Sequence, residues 1–226
     1  MAELAPARHD LVWLQPGCAD KLRPLPCAGR IDAPARLAEW IDAGRPLVFA
    51  RQPAELPPGR VLLGLPLPPS AGKHRIACEA PVSLIARRAP PPPLSAIAAL
   101  LPADWQPTLQ AIGREAAITE ARPRAFGSAA MHALTGLECL NPASDLDLLL
   151  APSSREAALR ALDALARIDA RHDTPSLDGE VLDSFGRATS WRELLSDAPQ
   201  VLFKHVGGIG LIAREDFLTA CGGAPA

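Results

Sequence analysis

The chain has 226 residues, of which 48% are hydrophobic and 21% charged, with a formal net charge of -2. Those figures leave room for one domain or two small ones around a packed core and exclude a disordered chain. With no basic excess to neutralise a phosphate backbone, they also exclude general nucleic-acid binding.

The amino-terminal stretch Met1 to Asp10 carries charges of both signs and no long apolar run, unlike a signal peptide. No segment has the apolar length needed to span a bilayer. Cys18, Cys27, Cys78, Cys139 and Cys221 are odd in number and widely spaced, with no Cys-x-x-Cys pair. Neither a disulfide framework nor a zinc site is expected, and free thiols fit a reducing compartment. The expectation is a cytoplasmic protein with neither a membrane nor a nucleic-acid partner.

Residues 1–89 read as a small β-rich domain. Strands are expected over His9–Leu14, Pro46–Arg51, Arg60–Leu65 and Lys73–Cys78. One helix is expected over Ala33–Ala43, with Leu37, Trp40 and Ile41 on one face and Gly44 as its stop. Just past a flexible turn, Lys73 and Arg75 share one side of a strand. Two cations there suit either a bound phosphate group or the solvated edge of a sheet, where charge opposes aggregation.

Pro90-Pro91-Pro92-Pro93 is the clearest boundary, because four prolines in a row favour a stiff extended linker. Residues 94–226 then form a second domain of mixed helices and strands, which makes the whole chain α+β. Helices are expected over Leu94–Leu101 and Thr108–Glu120, followed by a strand over Arg122–Phe126. Gly127-Ser128 makes a turn into a short helix over Ser128–Leu134, whose free N–H groups suit an anion.

Ser144-Asp145-Leu146-Asp147-Leu148-Leu149-Leu150 reads as a strand. Asp145 and Asp147, two apart, point to one face, while Leu146, Leu148 and Leu150 point to the core. Like charges so close are unfavourable unless a cation lies between them, and Mg²⁺ with bound phosphate is the usual answer. Ser153 or Ser154 caps a helix from Arg155 to about Arg171, whose stripe of Leu159, Leu162, Leu165 and Ile168 is core.

Ser176–Leu182 is a further strand in which Asp178 and Glu180 share a face. Either could be a third acid beside Asp145 and Asp147, and Asp178-Gly179 could equally make a hairpin turn. Ser190 and Glu193 read as a capping box at the start of a helix. Lys204 interrupts the apolar strand Val201–Val206, which the Gly207-Gly208 turn joins to a partner strand over Ile209–Ala213. The five histidines show no metal-ligand spacing, and His132 reads as a partly exposed helix residue. Walker A, Gly-x-Gly-x-x-Gly and Gly-x-Ser-x-Gly motifs are absent.

Gly127-Ser128 followed by Asp145-Leu146-Asp147 resembles the nucleotidyltransferase superfamily. The stretches Gly72–Ala77, Leu134-Thr135-Gly136-Leu137 and Ser144–Leu149 narrow the resemblance to the phosphoribosyl-dephospho-CoA transferase family, which assembles malonate decarboxylase. Sixteen residues separate Ser128 from Asp145, more than is usual in the superfamily, and the family shows the same insertion.

The resemblance implies that residues 94–226 form a nucleotidyltransferase-like domain using one or two Mg²⁺ ions. It places Asp145 and Asp147 as catalytic and metal-holding residues, with Asp178 or Glu180 as the third acid. Gly127, Ser128, Lys73, Arg75 and Lys204 would be the substrate contacts. The donor it implies is triphosphoribosyl-dephospho-CoA, and the acceptor is a serine of the malonate decarboxylase acyl carrier protein. Two other readings stand beside it: a nucleotidyltransferase that uses an ordinary nucleoside triphosphate, and a non-catalytic carrier-binding module.

Overall fold

The computed structural model describes residues 6–26, 31–72, 74–119, 122–171 and 174–222. Within them the chain forms two compact units. The first runs to Pro91 and takes in Leu137–Cys139 and Val206–Gly208; the second is the remainder. The class is α+β, with a β-rich amino-terminal region.

The first unit is built on six strands: β1 (Leu11–Leu14), β2 (Arg23–Pro24), β3 (Leu47–Phe49), β4 (Arg60–Pro66), β5 (Arg75–Pro81) and β6 (Ile85–Ala89). They form an antiparallel sheet in the order β2-β5-β4-β3-β1-β6. Strict alternation along β4 and β5 buries Val61, Leu63, Leu65, Ile76, Cys78 and Ala80 on one face. Helix α1 (Ala33–Asp42) starts at Asp32, whose side chain accepts the Ala35 N–H at 3.1 Å. It buries Leu37, Trp40 and Ile41, and the Trp40 indole donates to the Pro46 carbonyl at 2.9 Å. The edge strands β2 and β6 escape a reading by pattern because neither shows apolar alternation.

The second unit opens with the short helix α2 (Leu94–Ile97) and the longer α3 (Gln106–Thr119), followed by strand β7 (Arg124–Ala125). Pro92 and Pro93 do more than link: the Pro92 carbonyl accepts the Ala125 N–H at 3.0 Å, and Pro93 bridges Arg124. Proline is tolerated here because it sits at a sheet edge, where no donor is required of it.

Helix α4 (Gly127–Thr135), strand β8 (Leu146–Leu150), helix α5 (Arg155–Asp169) and strand β9 (Leu177–Leu182) follow. After them come β10 (Ala188–Ser190), α6 (Trp191–Leu195), β11 (Gln200–His205), β12 (Gly208–Ala213) and α7 (Arg214–Ala220). The sheet order is β12-β11-β10-β9-β8-β7. Only β8 and β9 pair in parallel among the described registers, with α5 as the crossover between them.

The core of this unit gathers Leu146, Leu148 and Leu150 of β8 with Leu162, Leu165 and Ile168 of α5. Leu177, Val181, Trp191 and Phe217 belong to it as well. Ser154 caps α5 by accepting the Ala157 N–H at 3.1 Å. The expected capping box at α6 is not made. Ser190 forms no side-chain cap, and Glu193 instead accepts the Leu202 N–H at 2.8 Å, tying the helix to β11.

Among the described residues, no helix is long and apolar enough to cross a membrane.

Candidate active site

The parallel pairing of β8 with β9 brings the site together. Asp147 and Asp178 are register partners, so their side chains leave the same face of the sheet. Asp178-Gly179 is therefore strand, and the hairpin-turn reading of this dipeptide is corrected. Asp145 lies one residue ahead of β8 rather than within it. A turn delivers it there, in which Ser144 Oγ accepts the Asn141 N–H at 3.0 Å and the Asn141 side chain accepts the Ala143 N–H at 2.9 Å. Carboxylate oxygens of Asp145, Asp147 and Asp178 all lie within 4.8 Å of one another.

Helix α4 begins beside this cluster. The Phe126 N–H donates to the Asp147 carbonyl at 3.0 Å, which ties the helix start to β8. Phe126, at the N-cap position, makes no side-chain cap to the first turn of α4. Gly127 has φ +62°, and a Cβ on it would lie 1.9 Å from Asp147 Oδ2. Glycine is thus required twice over, by its backbone conformation and by the carboxylate packed against it. Ser128 follows, half-buried in the first turn. Gly179 plays a comparable part on the other strand, where a Cβ would meet the Leu148 carbonyl oxygen at 2.1 Å.

Glu180 is not one of the three clustered acids. It is 5% exposed, and its Oε1 accepts a hydrogen bond from Lys204 Nζ at 2.8 Å. Arg75 is an exposed residue at the start of β5 in the first unit, and Lys73 lies outside the described residues.

One support of the site was not expected from sequence. Asp169, the last residue of α5, accepts the Leu177 N–H at 3.2 Å and pairs with Arg192 at 2.9 Å. Arg192 also donates to the Leu177 carbonyl at 2.9 Å. Both backbone groups of the residue before Asp178 are thereby held. An aspartate in the last turn of a helix opposes the helix dipole, and that local conflict was the available signal.

Three carboxylates facing one another form an all-oxygen set that could hold a divalent cation, and the helix start alongside is the kind of place that could take an anion. Comparison with known sequences gives this geometry its context. Residues 7–91 match the phosphoribosyl-dephospho-CoA transferase MdcG N-terminal domain, and residues 93–215 match the MdcG C-terminal domain. The chain belongs to the phosphoribosyl-dephospho-CoA transferase family.

The relative so named from Xanthomonas campestris pv. campestris (strain 8004) is 40% identical over 211 residues, covering 92% of this chain and 94% of its own. That from Bradyrhizobium diazoefficiens is 34% identical over 219 residues, covering 97% and 95%. A more distant one, from Pseudomonas syringae pv. tomato, is 32% identical over 211 residues, covering 91% and 90%. No solved structure matches the chain. Both units thus fall within the family's own pattern, and the aspartate cluster and α4 lie inside the match to its C-terminal domain.

Proposed function

We propose that this family member transfers the phosphoribosyl-dephospho-CoA group from its triphosphate precursor to a serine of the malonate decarboxylase acyl carrier protein, releasing pyrophosphate. The observation that carries the reading is the cluster of Asp145, Asp147 and Asp178 at the start of α4. An all-oxygen, triply anionic donor set suits Mg²⁺, and the second unit would act as a nucleotidyltransferase-like domain. One or two Mg²⁺ ions held by these aspartates would supply positive charge against the phosphates.

The chain's own groups provide the rest. The first-turn N–H groups of α4 at Gly127 and Ser128, with the Ser128 hydroxyl, orient the terminal phosphates of the donor. A carboxylate of the cluster takes the proton of the attacking serine hydroxyl. The serine oxygen bonds to the α-phosphorus as the bond to the pyrophosphate oxygen breaks. Lys204 contributes a phosphate contact, and Lys73 with Arg75 helps to recognise donor or carrier. The setting is the cytoplasm, where apo carrier and donor meet.

The test combines purified protein, Mg²⁺, triphosphoribosyl-dephospho-CoA and apo carrier, with the carrier weighed by intact mass spectrometry. The expected result is a mass gain equal to the prosthetic group, reduced at least about a hundredfold in rate by Asp145→Asn. A gain with ATP alone would reassign the protein to nucleotidylation, and no gain with either donor would overturn the reading. Reversing the charge at both Lys73 and Arg75 should raise the KM for donor or carrier; unchanged values would remove that pair from recognition.

A further inference from the structure

Glu180 and Lys204 form a unit that the three-aspartate site leaves unexplained. Cross-strand registers put them on the same sheet face as the cluster: Asp147 opposite Asp178, Leu149 opposite Glu180, Glu180 opposite Ser190, and Ala188 opposite Lys204. On β10, between β9 and β11, only the short side chains of Ala188 and Ser190 stand in the way. The lysine stem can therefore lie across the strand and bring Nζ to 2.8 Å from Glu180 Oε1. The Glu180 side chain is 7% exposed and that of Lys204 40% exposed. The carboxylate is the buried partner, and the lysine is the more exposed one.

Glu180 is also only two residues along β9 from Asp178, and on the same face. An ammonium in direct contact with it opposes a divalent cation at the same oxygen. This explains why a fourth acid can stand beside the cluster without joining it.

We infer that Glu180 is a positioning residue that holds the partly exposed Lys204 on the sheet face it shares with Asp147 and Asp178, where the lysine binds a phosphate of the donor. An ammonium has three N–H donors, so one can stay on Glu180 while the others serve an anion. A lysine without this tether would sample its rotamers over the strand and lose entropy on binding. The inference deepens the transfer reading above and rests on it for the identity of the donor, whereas the pairing and its consequence for anion binding do not depend on that identity.

The full chain is tested as Glu180→Gln, Lys204→Met, Lys204→Arg and the double variant Glu180→Gln/Lys204→Met, each checked by circular dichroism. Three readouts are taken: KM and kcat for donor and carrier, inhibition by inorganic pyrophosphate, and Mn²⁺ binding by electron paramagnetic resonance. Lys204→Met is expected to raise donor KM and weaken pyrophosphate inhibition about tenfold, with carrier KM unchanged. Glu180→Gln should move the same two quantities less, and the double variant should be no worse than Lys204→Met alone. The double variant also removes the buried carboxylate whose Lys204 contact is lost in Lys204→Met, and Lys204→Arg should restore part of the donor affinity.

Mn²⁺ affinity should survive Glu180→Gln and fall in Asp147→Asn. Loss of Mn²⁺ binding in Glu180→Gln would make Glu180 a metal ligand and overturn the inference. Unchanged donor KM and pyrophosphate inhibition in Lys204→Met would overturn it as well. Should the wild type transfer no group, the function above fails, yet pyrophosphate and Mn²⁺ binding still decide the role of the pair.

Discussion

Gly127 joins backbone conformation to site chemistry in a single residue. With φ +62° and Asp147 Oδ2 only 1.9 Å from where a Cβ would stand, Gly127→Ala has to move either the helix start or the carboxylate. The left-handed conformation alone costs a non-glycine residue about 1–2 kcal/mol. The expected outcome is a fall of that size in unfolding free energy by urea titration. Mn²⁺ affinity should drop at least about tenfold as Asp147 is displaced. Retained stability together with unchanged metal binding would show that the two residues are not coupled. The sequence pointed to Gly127, Asp145 and Asp147 through adjacency and period. It could not separate Asp178 from Glu180, since the register of β9 on β8 and the Lys204 contact to Glu180 both come from residues distant in sequence.

At the scale of the element, α5 aligns the two acid-bearing strands. Ser154 caps one end, and Asp169 at the other end holds the backbone of Leu177 together with Arg192. Ser154→Ala should cost about 1 kcal/mol of stability while leaving kcat unchanged. Asp169→Asn should leave stability nearly unaltered but lower kcat/KM about tenfold, because it loosens the strand that carries Asp178. Equal effects of the two substitutions on kcat would argue that α5 acts only through stability.

Helices α1 and α5 were legible from a stop or cap and apolar spacing, and α4 from the Gly127-Ser128 turn ahead of it; α3, β4, β9 and the β11–β12 hairpin were also expected. The strands β2, β6 and β10 and helix α7 were not. These elements are short or lie at edges, and partners distant in sequence hold them in place rather than local pattern. Glu193 shows the same limit: its local motif predicted a cap, and a backbone N–H of β11 took the carboxylate instead.

At the scale of the whole molecule, each unit carries a buried thiol whose ionisation at alkaline pH favours unfolding. Burial pushes Cys78 in the first unit and Cys221 in the second up from 9.0 to about 12. The folded chain therefore holds these protons more tightly than the unfolded chain does. This stabilisation is complete below about pH 9 and is lost as pH rises towards 12. Unfolding free energy should accordingly decline over that interval, and Cys78→Ala should flatten the decline. In the native protein at pH 7.5, peptide mapping after iodoacetamide treatment should find both residues unmodified. Rapid labelling of either would contradict its burial.

The parallel pairing of β8 and β9 also bears on how the site comes into being during synthesis. A hairpin can zip as soon as its turn leaves the ribosome, but these two strands are separated by all of α5. Asp145 and Asp147 are translated well before Asp178, and the clamp on Leu177 waits for Arg192 in α6. A nascent chain stopped after β8 would display two aspartates without their third partner. The three-carboxylate cluster thus assembles only once β9 has been made, and a product truncated before β9 would lack it.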